Sequence, residues 1–185
     1  GATGYAADGF NVANTLPNQF YLLLAGGALN AILVPQIVRA KMRPNGDEFV
    51  NRIITLTLAV LAVATVTLML AAPLLVRVYA KFDDPAALRL TTIFAVICLP
   101  QLFFYGLFTI LGQVLNANGR FAGFMWAPAL ANVVAVAGLV WFMQAGYPSG
   151  ASPADWTPAM IGILAGTATL SIAIQALALV IPLRR

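Results

Sequence analysis

Apolar residues in this chain do not alternate with polar ones at a short period. They run on in blocks long enough to cross a bilayer. Five such blocks are predicted as transmembrane helices: Gly9–Val38, Ile53–Val78, Leu90–Leu115, Phe121–Met143 and Pro158–Leu183. At about 1.5 Å per residue each reaches across a hydrocarbon core of about 30 Å, the longer ones with tilt. Only helices fit runs of this length, because in lipid a segment has to satisfy its own backbone hydrogen bonds. The predicted fold class is all-α, a polytopic transmembrane helix bundle.

The breaks in the pattern carry further information. Between Leu99 and Val134 two apolar runs flank the turn Asn116-Ala117-Asn118-Gly119-Arg120, and Arg120 is the only charge in that span. Pro17, Pro35, Pro73, Pro100 and Pro128 fall inside or near the ends of predicted spans. Each removes a backbone hydrogen bond and tends to bend its helix. Such prolines are ordinary in membrane helices, but five together favour bent helices around a transport cavity. Small residues cluster at Ala25-Gly26-Gly27-Ala28 and again at Gly162 and Gly166, and both patches are expected to pack against neighbouring helices.

Composition agrees with the pattern: 61% of residues are hydrophobic, only 9% are charged, and mean hydropathy is +0.89. Soluble domains carry about a quarter charged residues. The net charge of +4 does not point to nucleic acid, since the basic residues sit at span ends. If the spans alternate, Arg39, Lys41, Arg43, Arg52, Arg120, Arg184 and Arg185 share one side, against Arg77, Lys81 and Arg89 on the other. The positive-inside rule places the larger group in the cytoplasm, with residue 1 outside and residue 185 inside. Arg52 and Arg120 are thus expected to act as topology or interface charges. The loop Ala145–Thr157 carries Tyr147 and Trp156 at interface depth. The chain starts at Gly1 without a cleavable signal and is expected to be an excerpt of a longer protein.

The sequence offers little chemistry beyond transport. It has no histidine, and its one cysteine, Cys98, lies inside a span, where a small buried hydrophobe is the expected role. No paired intramembrane carboxylates, no nucleophile with a base and no phosphate loop are present, so neither an enzyme nor a metal or other cofactor is expected. Asp8 adjoins the first span, either as a helix N-cap at the interface or as a cavity-facing carboxylate. Asn11, Asn14 (or Thr15) and Asn18 recur at i, i+3/4 and i+7, which makes a polar stripe on one helix face. Lipid cannot satisfy such a stripe, so it faces either a protein partner or a hydrated cavity. Gln101, Gln113, Asn132 and Gln175 are isolated amides expected to hold helices together, with Asn132, the deepest, also a cavity candidate. The predicted substrate cavity therefore draws on Asp8, Asn11, Asn18 and Asn132, and the predicted packing positions are Gly26, Gly27, Gly162 and Gly166.

Two segments resemble a known family. LPNQFYLLLAGGALNAILVP (Leu16–Pro35), preceded by ADGFNVA, resembles the second-helix signature of the MurJ/MviN lipid II flippases. The FFYGL, GQVLNANGRF and MWAP-x-L-x-N-V-V elements between Leu99 and Val134 resemble that family's fourth and fifth helices. The resemblance covers nearly the whole chain. It implies helices two to six of a fourteen-helix, two-lobe transporter of the multidrug/oligosaccharidyl-lipid/polysaccharide exporter superfamily, so that residues 1–185 form part of the N-terminal lobe. The implied function is to flip the lipid-linked peptidoglycan precursor across the bacterial cytoplasmic membrane by alternating access. The implied partners are a lipid-linked pyrophosphate substrate, membrane lipids, the second lobe of the same chain and cell-wall synthesis proteins, with no nucleic acid.

By motif position Asp8 matches the family's acidic residue at the start of helix two, and Asn18 matches the asparagine of its LPN. The chain departs from the family where many members have two consecutive basic residues after LPN and a Glu before a glycine. Tyr21, Leu22 and Gly26 stand there instead. A polysaccharide-lipid flippase or drug exporter of the same superfamily is the nearest alternative. A non-transporting scaffold for wall-synthesis proteins is the alternative of another class.

Overall fold

Where each helix starts and stops is set by a few residues. The computed structural model of the chain describes residues 2–25, 39, 46–148 and 150–183. In order they form α1 (Ala2–Ala25), α2 (Gly46–Leu70), α3 (Ala72–Tyr79), α4 (Pro85–Cys98), α5 (Gln101–Ala117), α6 (Phe121–Gln144), a 3-10 turn (Pro153–Asp155), α7 (Pro158–Ala178) and α8 (Val180–Leu183). No strand occurs among the described residues, as expected of an all-α bundle. Glu48–Leu70, Pro85–Ala117, Phe121–Gln144 and Pro158–Leu183 are long and apolar enough to cross a membrane. With 24 residues, α1 has the length but is too polar to join them. The rest of the first predicted span, including Gly26 and Gly27, lies outside the described residues.

Proline divides two of the predicted spans. Ile53–Val78 is interrupted at Ala71, where Pro73 opens α3 and has no N–H for the preceding turn. Leu90–Leu115 is interrupted at Leu99–Pro100, and α5 restarts through Leu102 N–H to Leu99 O (3.0 Å) and Phe103 N–H to Pro100 O (3.1 Å). Its first half, α4, begins at Pro85. There Asp84 caps the helix by accepting from Ala86 N–H at 2.9 Å, and Pro85 supplies a preset first turn. Thr157-Pro158 repeats the device at the start of α7, with Thr157 Oγ1 accepting from Met160 N–H at 3.3 Å. The turn after α5 closes on Gly119 at φ +72°, with Arg120 N–H to Leu115 O (2.9 Å) and Gly119 N–H to Asn116 O (3.0 Å). That pair is a Schellman motif, which needs a left-handed residue and so favours glycine.

The broken span α4–α5 is the axis of the bundle. α1 and α7 pack along both of its halves, α2 lies on α5, and α6 lies on α7. The main core joins Ala13 and Leu16 of α1, Val76 of α3, Phe94, Cys98 and Leu99 of the axis, and Ala165 of α7. Cys98 is fully buried there, the small hydrophobe the sequence suggested. Because lipid is as apolar as leucine, these contacts hold by close packing and not by escape from water. Four glycines let helices approach: a methyl group at Gly9 would collide with Thr91, at Gly106 with Leu61, at Gly112 with Phe124, and at Gly138 with Thr167. Gly162 and Gly166 do not serve this way among the described residues. A Cβ on either meets nothing within 4 Å, because the α6–α7 contact is made by Gly138 of α6 against Thr167, on a different face of α7. The outward rows of α2 (Leu56, Val60, Val63) and α6 (Val133, Val136) are exposed and apolar, as lipid-facing surfaces are.

Candidate functional site

α1 sorts its polar residues onto two faces. Ala6, Gly9, Ala13, Leu16 and Pro17 are buried against the bundle, while Asp8, Asn11, Thr15, Asn18 and Gln19 are exposed. At 100° per residue the exposed five form one stripe, and the sequence ambiguity between Asn14 and Thr15 resolves in favour of Thr15. The Asp8 carboxylate and the side-chain amides of Asn11, Asn18 and Gln19 have no hydrogen-bond or ion-pair partner among the described residues. Asp8 is not an N-cap, because α1 is already helical from Ala2. Thr15 donates its hydroxyl proton to Asn11 O at 2.7 Å, which leaves its oxygen as an acceptor only. Between this stripe and Tyr79, the last residue of α3, lies a cleft of about 190 Å³ lined by Asn11, Val12, Thr15, Leu16, Gln19 and Tyr79.

The sixth polar residue of this region, Asn14, turns the other way. Its Oδ1 accepts from Gln101 Nε2 at 2.9 Å, and the same Nε2 lies 3.3 Å from Thr169 Oγ1. Thr169 in turn donates to Ile97 O (2.8 Å), just before the break at Pro100. Tyr105 OH reaches Gln101 Oε1 at 3.5 Å, and Tyr21 OH shares a hydrogen with Thr109 Oγ1 at 2.5 Å. Gln101, Tyr105 and Thr109 recur every four residues on α5 and meet Asn14 and Tyr21, one heptad apart on α1. α1, α5 and α7 are thus joined by a polar seam, and Gln101 in it is only 1% exposed. Gln101 holds helices together, as predicted.

A second, larger groove of about 470 Å³ opens between the first turns of α1 and the end of α6. Its walls are apolar and aromatic: Phe142 stacks on Trp156 (5.7 Å between centroids), and Trp156 meets Phe94 edge-on at 5.4 Å. The polar stripe and the apolar groove are therefore separate surfaces of the same helix.

The remaining predicted residues are scattered. Asn132 is exposed on α6, which packs chiefly on α7, and it does not line the Tyr79 cleft with Asn11. Arg52 is exposed in the second turn of α2. Arg120 is exposed at the start of α6 and donates from its guanidinium to Pro182 O at 2.5 Å, tying the α5–α6 turn to α8. No cluster of Cys, Asp and Glu able to hold a metal occurs among the described residues. Tyr79 and Thr169 carry no sign in the sequence, and Tyr21 stands out there only as a departure from the family pattern. The four-residue recurrence of Gln101, Tyr105 and Thr109 was the one legible sign of the seam.

The family model for lipid II flippase MurJ matches residues 1–185. A Rhizobium meliloti (strain 1021) protein named "Probable lipid II flippase MurJ" is 31% identical over 150 residues, covering 78% of this chain and 28% of that protein. Proteins of the same name from Rhizobium tropici and Rickettsia prowazekii (strain Madrid E) are 32% and 29% identical, over 78% and 70% of this chain and 28% and 26% of their own lengths. The chain thus spans little more than a quarter of the curated relatives it matches. No solved structure matches it significantly. With an all-helical bundle, four helices able to cross a membrane and a family match along its whole length, the chain belongs to the MurJ lipid II flippase family.

Proposed function

We propose that this chain is part of the N-terminal lobe of a transporter that moves lipid II across the bacterial cytoplasmic membrane by alternating access. In this reading residue 1 lies on the outer side and residue 183 towards the cytoplasm, in keeping with the distribution of basic residues. Asp8, Asn11 and Asn18 are the lobe's contribution to a hydrated path for the polar headgroup, while the polyprenyl tail stays in lipid. The observation that carries this is the unpartnered stripe on α1. In hydrocarbon each unsatisfied amide costs several kcal/mol, so the stripe calls for water or a polar ligand beside it. It carries no cation. The pyrophosphate is therefore met by basic groups elsewhere in the full-length protein, in line with Tyr21 and Leu22 at the positions where the resemblance leads one to expect two basic residues. The second lobe is the partner that closes the cavity.

The test uses the full-length protein with Cys98 replaced and single cysteines at positions 11, 18 and 132. Positions 11 and 18 are expected to react with a membrane-impermeant thiol reagent, and Asp8→Ala is expected to lower lipid II flipping by about tenfold. Position 132 decides whether α6 borders the same water. If neither 11 nor 18 reacts in any state, the cavity assignment is wrong. Normal peptidoglycan synthesis after depletion, in cells without a second flippase, overturns the flippase reading itself.

A further inference from the structure

We infer that the cleft between α1 and Tyr79 is a carbohydrate subsite, which binds a sugar ring of the lipid-linked substrate while it crosses. The inference rests on the flippase reading above and adds the chemical class recognised at one place on this chain. Asn11, Thr15 and Gln19 present a polar group on three successive turns, about 6 Å apart along the helix. The two amides each donate and accept, and Thr15, its proton committed to Asn11 O, accepts. Sugar hydroxyls also both donate and accept, so this set can match several of them at once. Neither Asn11 nor Gln19 is already engaged with a described residue. The apolar remainder of the cleft, Val12 and Leu16, and the half-exposed ring of Tyr79 suit the C–H face of a pyranose.

The cleft's chemistry discriminates between parts of the substrate. No lining residue carries a charge, which disfavours the pyrophosphate, and the apolar floor is too small a patch for a polyprenyl chain. At about 190 Å³ it offers room for one ring at a time. The larger apolar groove beside Trp156 has no such row of amides.

The deciding experiment measures binding of four probes to the full-length protein in lipid nanodiscs: undecaprenyl pyrophosphate, the same lipid bearing one N-acetylhexosamine, the disaccharide form, and the complete disaccharide-peptide. The wild-type protein should gain affinity when the first or second sugar is added. Tyr79→Ala and Gln19→Ala should each shrink that gain by about tenfold, with binding of the sugar-free lipid unchanged. Tyr79→Phe, which keeps the ring, should retain most of it. Equal weakening of sugar-free and sugar-bearing probes overturns the subsite, as does a loss seen only when the peptide is added. Retention of the full sugar gain in every variant overturns it too. If the wild-type protein binds none of the four, the flippase reading falls and takes the subsite with it. Thermal melts of each variant show whether it has folded, and the two variant sites, on different helices, make a shared folding defect easy to recognise.

Discussion

An asparagine and a glutamine occur together at two places around α1, with opposite fates. Asn14 and Gln101 close on each other at 2.9 Å inside the bundle. Asn11 and Gln19, on the same helix as Asn14, face an open cleft with no protein partner among the described residues. The residue types are identical, so type does not assign the role. What differs is the helix opposite: α5 offers a matched polar row to one face of α1, and the other face looks out of the described bundle. In a membrane this contrast is sharper than in water, because an amide without a partner cannot simply be solvated. A satisfied pair is structure, and an unsatisfied row is a surface waiting for water or ligand.

That contrast can be broken outright by unseating α1. Gly9→Val places a branched side chain against Thr91 of α4, and overpacking of this kind costs about 1–3 kcal/mol or more. Both polar faces should be lost together, visible as a low melting temperature and indiscriminate thiol labelling along α1. A gentler change separates the faces. Gln101→Leu leaves the half-buried Asn14 Oδ1 without a donor, for an expected loss of about 1–2 kcal/mol. Adding Asn14→Leu should recover most of it, because removing both partners avoids the orphaned group. A double variant no more stable than Gln101→Leu alone would mean that the seam does more than fill space. The smallest effect belongs to the open face: Asn11→Ala or Gln19→Ala should change stability by less than about 0.5 kcal/mol while altering substrate binding. A large stability loss there would show that the stripe is packed against another part of the full-length protein.

Within α1, the sequence and the structure divided the work unevenly. The recurrence of Asn11, Asn14 or Thr15, and Asn18 already marked a stripe, but helical periodicity is too coarse to separate neighbours at i+3 and i+4. Asn14 and Thr15 differ by only 100° around the helix, yet one bonds Gln101 and the other lies in the open. Asp8 looked equally suited to capping, and only the start of α1 at Ala2 removed that option. Gly162 and Gly166 had the spacing of a packing motif, yet the close approach of α6 and α7 is made at Gly138. Tyr79 gave no sign at all, since nothing local says that the end of α3 will lie beside the third to fifth turns of α1.

The sequence by itself determined the environment and the elements. Long apolar blocks can satisfy their backbone only as helices in lipid, Pro73 and Pro100 mark the breaks in two of them, and Gly119 had to end α5. Only the tertiary structure decided which amides are paired and which are open. The physical reason is range: periodicity, capping and proline act within a turn or two of one chain segment, whereas a hydrogen bond between Asn14 and Gln101 joins residues 87 positions apart. Whether a polar side chain is structural or available depends on that distant partner, and the partner exists only once the helices have packed.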